Sequence, residues 1–348
     1  MLAIQAIRII VLTTISFIVA LVVTPFWHGF LKKLGFSKQI REKGSTPVFH
    51  ELHEKKAGTP TGGGLIIWTT VIFLAALFWF LSRTFDGVWS YLDFIDRAQT
   101  YLPLAALFIA AAFGFIDDWF GVLKIGGASG GGLKIRYKLI SYAVLAAIGA
   151  WWFYFKLGWD VLYIPFFGNV FVGPWYFPIF MFIIVASAFS ANETDGLDGL
   201  LGGVSLFAFV ALITVAFVLG RYDLAAFGGV MIGALLAFLW FNIYPAKFFM
   251  GDTGSMSLGI VIGVISMLTN TTFFLPFFAI ILVIESLSVI VQITSKKMRG
   301  KKIFLSTPIH HHFEALGWPE SQVTMRFWII SAVSCALGLV MFFLARLL

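Results

Sequence analysis

The sequence predicts an all-α polytopic membrane protein with about ten transmembrane helices, and three observations support that fold class. The 348 residues are 60% hydrophobic and only 12% charged, whereas soluble domains carry about a quarter charged residues. The mean hydropathy of the chain is +0.95. The apolar residues also occur in blocks of about twenty, the length that crosses a hydrocarbon core of about 30 Å.

Each apolar block predicts one helix, because a transmembrane strand is shorter and alternates in polarity. The predicted spans, in chain order, are residues 7–27, 64–82, 102–120, 137–156, 174–191, 200–219, 224–244, 255–270, 273–294 and 326–347. The first block is too long for the apolar core of a cleaved signal peptide, so we predict that it spans the membrane. The sequence shows no internal repeat, and residues 1–348 are predicted to form one integral membrane domain.

The basic residues predict the orientation of the chain. Most of the 24 Lys and Arg residues fall in the connections that follow odd-numbered spans, and short loops rich in Lys and Arg stay in the cytoplasm. Both termini should therefore face away from the cytoplasm. The formal charge of +7 then lies largely beside an anionic leaflet, which removes the reason to expect a nucleic-acid partner. The one cysteine, Cys335, excludes an intrachain disulfide.

Two acidic segments on the predicted inner side are candidate sites. Asp117 and Asp118 end the third span, where adjacent carboxylates are costly unless they meet water, a partner or a hard divalent cation. A solvated helix end is the alternative interpretation. Asn192, Asp195 and Asp198 recur every third residue, which would place them on one face of a helix. The alternative for this segment is an acidic tight turn.

Two further inner-side segments combine polar groups with glycine. Asp252 precedes the eighth span and is followed by glycine and hydroxyl residues, so it could be a helix N-cap or hold the metal that accompanies a bound phosphate. Residues 53–64 join lysines to a glycine-rich turn that could cradle phosphate. Neither this segment nor 126–134 matches a P-loop. A flexible loop is the alternative for both, and the better interpretation of 126–134.

Three consecutive histidines, His310, His311 and His312, lie in the large inner connection before the last span. On a helix they fan out, so they cannot all bind one zinc ion. We prefer hydrogen bonding to phosphate or sugar over a purely structural loop. All five segments fall on the side that Lys and Arg alone assigned to the cytoplasm, and together they predict one composite site for a phosphorylated, metal-associated ligand.

Five segments, in order along the chain, carry a family resemblance. They are residues 56–61, 114–118, 192–199, 238–242 with 250–252, and 307–314. They resemble the phospho-N-acetylmuramoyl-pentapeptide transferases, a family within the polyprenyl-phosphate N-acetylhexosamine-1-phosphate transferase superfamily. The aspartate motifs are typical of the whole superfamily. The Pro-x-His-His-His-Phe-Glu segment points to the muramoyl-pentapeptide family.

The resemblance implies an enzyme of the bacterial inner membrane with ten transmembrane helices and a Mg²⁺ site at the cytoplasmic face. With the orientation predicted from Lys and Arg, both termini are then periplasmic. The implied reaction transfers phospho-MurNAc-pentapeptide from UDP-MurNAc-pentapeptide to undecaprenyl phosphate, giving lipid I and UMP. The expected partners are these two substrates and the lipid bilayer, with a homodimer as a candidate assembly. Mg²⁺ and lysine can offset the charge of the diphosphate.

The same resemblance implies roles for individual residues. Asp252 is the leading Mg²⁺ ligand, and Asp117 and Asp118 are catalytic carboxylates that could also ligate the metal. A further set of positions is implied to bind substrate at the diphosphate, the lipid phosphate or the nucleotide. These are Lys56, Thr61, Lys138, Asn192, Asp195, Asp198, Asn242, Phe249, Gly251, His310, His311 and His312.

Two positions depart from the family pattern. Gly121 stands where the family commonly has lysine, with Lys124 as a candidate substitute, and Gly62 stands where methionine is expected. Two other functions compete with this prediction. A sister transferase acting on UDP-GlcNAc should differ around the histidines, and a transporter of an anionic solute should place charge near mid-membrane, where only Glu285 clearly lies. Glu285 could also merely bridge helices.

Overall fold

Helices make up nearly all of the regular structure in the computed structural model, which describes residues 2–37, 56, 58–125 and 132–347. Residues 53–55 and 57 of the predicted phosphate-binding loop, and 126–131 of the second glycine-rich stretch, lie outside the described residues. The helices of the described part are α1 (Leu2–Lys33), α2 (Gly64–Thr84), α3 (Val88–Leu92), α4 (Tyr101–Val122), α5 (Ile135–Trp151), α6 (Tyr176–Thr194), α7 (Leu200–Val218), α8 (Tyr222–Asn242), α9 (Gly251–Leu268), α10 (Leu275–Phe278), α11 (Ile280–Arg299), α12 (Ile309–Ala315) and α13 (Glu320–Leu347).

The predicted fold class is confirmed. Within the described residues, nine helical segments are long and apolar enough to cross a membrane, and a bent pair, formed by residues 272–278 and 280–299, brings the number to ten if the pair counts as one span. Each of the nine overlaps one predicted span. The first and last helices run several residues beyond the predicted ends, because polar residues such as Lys32 and Glu320 continue them past the apolar block. Which end of the bundle faces the cytoplasm stays a prediction.

The prediction of one continuous helix over 273–294 is wrong. α10 and α11 meet at an angle of 87°, and the backbone of Ala279 between them leaves the helical region, with φ −129° and ψ 37°. Side chains of α13 satisfy carbonyl groups near the break, since Ser334 Oγ donates to Phe277 O at 2.8 Å and Cys335 Sγ to Phe278 O at 3.2 Å. A break inside a membrane is tolerated when neighbouring side chains satisfy the freed backbone groups.

A short β-hairpin was not predicted. Strands β1 (Val161–Ile164) and β2 (Gly168–Phe171) pair antiparallel, with Val161 opposite Phe171. The hydroxyl of Tyr163 donates to Ala345 O at 2.6 Å, which places the hairpin beside the C-terminal end of α13. Four-residue strands give too short an alternating pattern to be separated from the flanking apolar blocks.

Helix α9 lies at the centre of the bundle, and 89% of the residues in its most apolar stretch are buried. Small residues allow neighbouring backbones to approach it closely. A Cβ atom on Gly64 of α2 would overlap the backbone of Gly254, and one on Gly114 of α4 would overlap the backbone of Asp252 and Thr253. Contacts of this kind bring α2 and α4 against the first turn of α9, where Asp252 lies.

An ion pair ties the bundle together at the opposite end. The buried Arg8 guanidinium of α1 donates to Asp223 Oδ1 of α8 at 2.7 Å and to Asp93 O at 2.6 Å. All three residues were assigned to one side of the membrane by the predicted spans. The pairing of charge with charge explains how Arg8 is accommodated at low exposure within an apolar helix.

Candidate active site

The candidate site is built around the first turn of α9. Gly251 begins this helix with a φ of +74°, a conformation that favours glycine. A Cβ atom at this position would also lie 2.6 Å from Asp118 Oδ2. The Gly251 N–H donates to Asp195 Oδ2 at 3.2 Å. The turn thus carries the chain into α9 while Asp252, the next residue, points towards α4 and α5.

A lysine bridges two carboxylates in the centre of the site. Lys138 Nζ, from the first turns of α5, lies 2.7 Å from Asp117 Oδ2 and 2.7 Å from Asp252 Oδ2. Asp117 Oδ1 accepts a hydrogen bond from the Leu133 N–H at 2.5 Å. Asn192 of α6 donates its amide to Asp252 Oδ1 and also contacts Ser255 Oγ at 3.2 Å. Three helices and one loop therefore orient the two carboxylates that face the lysine.

A cavity of about 360 Å³ opens beside this charged centre, between α4 and α5. Asp117, Lys138 and Asp252 line one part of it. Apolar side chains, including Ile116 and Ile140, line the rest, and both of these are exposed on the outer surface of the bundle. The cavity therefore connects a charged centre with the apolar outer surface of the bundle.

Asp118 turns away from the lysine and caps α9. Its Oδ1 accepts the Asp252 N–H at 2.9 Å, and its Oδ2 accepts the Thr253 N–H at 3.0 Å. The first N–H groups of a helix lack intrahelical acceptors. Here the Asp118 carboxylate of α4 provides the acceptors for two of them. The interpretation of Asp252 as an N-cap is therefore wrong, because the cap of α9 comes from another helix.

The segment after α6 is a turn rather than a continued helix. α6 ends at Thr194, so Asn192, Asp195 and Asp198 do not share one helical face, and the alternative interpretation of a tight turn is correct for 195–199. Asp198 accepts the Ala246 N–H at 3.0 Å. The turn ends at Gly199, whose φ is +74°.

Asn242 holds this turn against the segment before α9. Its Oδ1 accepts the Gly199 N–H at 3.0 Å, and its Nδ2 donates to Phe248 O at 2.9 Å. The Asn242 side chain is buried. Both polar groups of the Asn242 side chain thus bond to backbone groups. Asn242 therefore contributes to the site by shaping it.

The segment before α2 lines another side of the site. The Phe249 N–H donates to Pro60 O at 2.8 Å, and Gly63 N donates to Phe249 O at 2.8 Å. Lys56 Nζ lies 5.7 Å from the centre of the Phe249 ring. Thr61 is half-buried beside them, and its N–H donates to Phe36 O at 3.0 Å. The predicted phosphate-binding loop therefore reaches the site through Lys56 and the residues from 60 onwards.

The three histidines take different partners. His310 is fully buried, with Nδ1 3.0 Å from Glu285 Oε2, and its ring lies against Gly196. His311 Nδ1 lies 2.7 Å from Glu314 Oε2, and His312 Nδ1 accepts the Leu305 N–H at 3.2 Å. They therefore fan out from α12 as predicted.

The charge state of His310 follows from its neighbours. Burial disfavours the imidazolium, but the Glu285 carboxylate, with smaller contributions from Glu314 and Glu193, raises the pKa of His310 above its usual value of 6.5.

The contact between Glu285 and His310 pairs α11 with α12. Glu285 therefore bridges helices, as the simpler interpretation suggested.

One acidic residue of the site, Glu320, was not predicted. Glu320, the first residue of α13, contacts Lys56 Nζ at 2.5 Å and accepts the Asp198 N–H at 2.7 Å. The only signal in the sequence is its place among the inner-side acids, because its partners lie 264 and 122 residues away. Lys124, by contrast, is exposed just after α4. Among the described residues, the nearest atom to a Cβ added at Gly121 is Gly132 N at 3.9 Å, so no described atom obstructs a larger side chain there.

The donor atoms of the centre suit magnesium. In the part of the chain that the structure describes, no group of three or more His, Cys, Asp and Glu residues is arranged to hold a metal ion. Asp117 and Asp252, however, lie close enough together for each to direct one oxygen at Lys138 Nζ, and Asn192 donates to the other oxygen of Asp252. Mg²⁺ typically binds through one or two carboxylates together with substrate phosphates, so a pair of carboxylates is a fitting donor set.

Comparisons with known proteins agree with the resemblance. A family model described as Glycosyl transferase family 4 matches residues 100–270. A protein of Geobacillus thermodenitrificans is 37% identical over 95% of this chain and 97% of its own length. A protein of Anoxybacillus flavithermus is 37% identical over 93% and 95%, and one of Borreliella burgdorferi is 35% identical over 94% and 93%. All three relatives bear the name phospho-N-acetylmuramoyl-pentapeptide-transferase.

Proposed function

This chain belongs to the phospho-N-acetylmuramoyl-pentapeptide transferases, and we propose that it transfers phospho-MurNAc-pentapeptide from UDP-MurNAc-pentapeptide to undecaprenyl phosphate. The products are lipid I of peptidoglycan synthesis and UMP. The observation that carries the proposal is the Asp117–Lys138–Asp252 centre, which lies beside a cavity with a lipid-facing apolar lining. A polyprenyl phosphate needs both features, because its phosphate is charged and its chain is apolar.

The reaction takes place at the cytoplasmic face of the inner membrane, and both termini are periplasmic. The distribution of Lys and Arg supports this orientation. Five inner-side segments that are far apart in the sequence meet at one end of the bundle, and the Arg8–Asp223 pair lies at the other. A soluble nucleotide substrate and a membrane-bound acceptor meet only at such a boundary.

Asp117 and Asp252 would hold Mg²⁺ in the loaded enzyme. When bound, the ion offsets the negative charge of the diphosphate and of the leaving UMP. The Asn192 amide orients Asp252 by donating to its Oδ1, and Asp118 fixes the backbone that carries Asp252. Lys138 supplies a positive charge at the same place, where phosphoryl transfer is governed by positioning and charge stabilisation.

Asp117 orients the acceptor rather than acting as an obligatory base. A phosphate monoester has a second pKa of about 6, so the acceptor is largely dianionic at neutral pH and can attack the sugar-linked phosphorus directly. The test compares Asp117→Asn with wild type between pH 6 and 9. A constant fold-loss of turnover is expected. A variant that recovers as the pH rises would identify Asp117 as the base.

The nucleotide side of the site lies along the 195–199 turn and the end of α6. Asp195, Phe249 and Gly251 border it directly, and Lys56 and Thr61 approach it from the loop before α2. Asp198 and Asn242 shape the turn through backbone hydrogen bonds. The histidine segment 310–312 closes the site from α12, with His310 against Gly196.

The decisive experiment measures UMP release and lipid-linked product by the purified full-length protein. With UDP-MurNAc-pentapeptide, undecaprenyl phosphate and Mg²⁺, both products should form, and omission of the acceptor or addition of EDTA should stop UMP release. UDP-GlcNAc serves as the competing donor. Turnover with UDP-GlcNAc but not with UDP-MurNAc-pentapeptide would assign the chain to a sister activity and overturn the proposal.

A further inference from the structure

A cluster of three charged side chains joins separate parts of the chain at the edge of the site. Lys56 Nζ lies 2.6 Å from Asp198 Oδ1 and 2.5 Å from Glu320 Oε1. The same Glu320 oxygen accepts the Asp198 N–H at 2.7 Å. Glu320 and Asp198 are largely shielded from solvent, with 10% and 3% of their side chains exposed. One carboxylate therefore holds both the cation and the turn that faces the nucleotide.

Glu320 stands on a rigid support. It is the first residue of α13, and two further residues of that helix bind the same turn. Thr324 Oγ1 donates to Asp198 O at 3.2 Å, and Trp328 Nε1 donates to Gly199 O at 3.1 Å. The first turns of α13 thus form a platform beneath the turn, and Glu320 is the charged end of that platform.

The two carboxylates fix the direction of the Lys56 ammonium. An ammonium has three N–H donors, and two of them are directed at Asp198 and Glu320. The third donor then points in a defined direction instead of sampling the many rotamers of a free lysine. The Phe249 ring lies 5.7 Å from the same nitrogen, on the side of the site where the nucleotide is proposed to bind.

We propose that Glu320 is a positioning residue for the nucleotide-sugar substrate, which acts by fixing Lys56 so that its remaining N–H faces the diphosphate. The inference rests on the proposed function. Glu320 itself does not contact the substrate. Its carboxylate sets where Lys56 lies, so its loss should weaken donor binding more than it slows the chemical step.

A double-mutant cycle tests this role. Glu320→Gln should raise KM for UDP-MurNAc-pentapeptide about tenfold, with kcat and KM for undecaprenyl phosphate within about twofold of wild type. Lys56→Ala should raise the same KM at least as much. Because Glu320 acts through Lys56, the double variant should resemble Lys56→Ala. Glu320→Asp should restore part of the loss, and Gln322→Ala, on the same helix turn, is the control for a general effect on the start of α13.

Each other outcome has a defined meaning. Additive effects in the double variant, or an equal fall of kcat, would show that Glu320 acts on the fold rather than through Lys56. A lower KM in Glu320→Gln would show that the carboxylate repels the anionic donor, and would equally overturn the inference. Absence of turnover in the wild-type protein with both substrates would refute the proposed function instead, so the two failures are distinguishable.

Discussion

Alanine at position 114 would force α4 away from the first turn of α9. The nearest neighbours of an added Cβ are backbone atoms of Asp252 and Thr253, with Thr253 Cα at 2.6 Å. Ordinary contact begins near 3.4 Å, so the helices must separate by about 1 Å. Overpacking of a core lowers the free energy of unfolding by about 1–3 kcal/mol. Because backbone atoms cannot move aside as a flexible side chain does, we expect a loss at the upper end of this range. The higher helix propensity of alanine offsets about 1 kcal/mol of this loss.

We therefore expect Gly114→Ala to lower the free energy of unfolding by about 2 kcal/mol. Turnover should fall more steeply, since a displacement of about 1 Å at a reacting centre costs on the order of 100-fold. Gly121→Ala is the matched control on the same helix, because the nearest atom to its Cβ in the described part of the chain lies at 3.9 Å. That variant should keep wild-type turnover and gain up to about 1 kcal/mol.

The assays are thermal unfolding of the detergent-solubilised protein and UMP release with both substrates. If Gly114→Ala matches Gly121→Ala in melting temperature and turnover, the close approach of α4 and α9 does not position Asp252, and the reasoning fails. A loss of stability with full turnover would separate packing from catalysis and would also contradict the prediction.

Three further predictions concern the charged groups. Asp252→Asn should reduce UMP release by about 100-fold or more with an unchanged melting temperature. Asp118→Asn should cost about 1–3 kcal/mol of unfolding free energy, since an amide NH₂ group then faces an N–H donor of α9. The Glu285–His310 pair stabilises the fold fully below pH 6.5, the usual imidazole value, and loses this contribution as the pH rises through the raised pKa of His310. The melting-temperature difference between wild type and Glu285→Gln should accordingly be largest near pH 6.

Each of these results can go the other way. Turnover of Asp252→Asn within tenfold of wild type would remove the metal assignment. An Asp118→Asn protein as stable as wild type would show that α9 does not depend on the cap from α4. A melting-temperature difference for Glu285→Gln that stays constant from pH 6 to 9 would mean that His310 does not titrate in that range.

Much of the fold followed from composition, but its irregular parts did not. Apolar blocks of the right length located every span, because burial in lipid demands a continuous apolar helix. The same blocks gave no sign of the bend at Ala279, since the carbonyl groups freed there are satisfied by Ser334 and Cys335 from a distant helix. The hairpin at 161–171 was missed because its strands are only four residues each.

For the candidate site, the sequence by itself determined which residue types are available, and the Lys and Arg distribution predicts on which side of the membrane they lie. Scarce charges at span boundaries identified Asp117, Asp118 and Asp252, since a charge at that depth requires a partner or a function. The family to which the chain belongs could also be predicted from the order of its motifs.

Only the tertiary structure decided what each group contacts. Asp117 and Asp118 are adjacent in the chain, yet one faces Lys138 and the other caps α9, because neighbouring side chains on a helix diverge by about 100°. Glu320 carries no motif and becomes part of the site through the packing of α13 against the 195–199 turn. Such contacts cannot be predicted from the sequence, because the residues that make them are far apart in the chain. They form only when close-packed helices hold those residues within hydrogen-bonding distance.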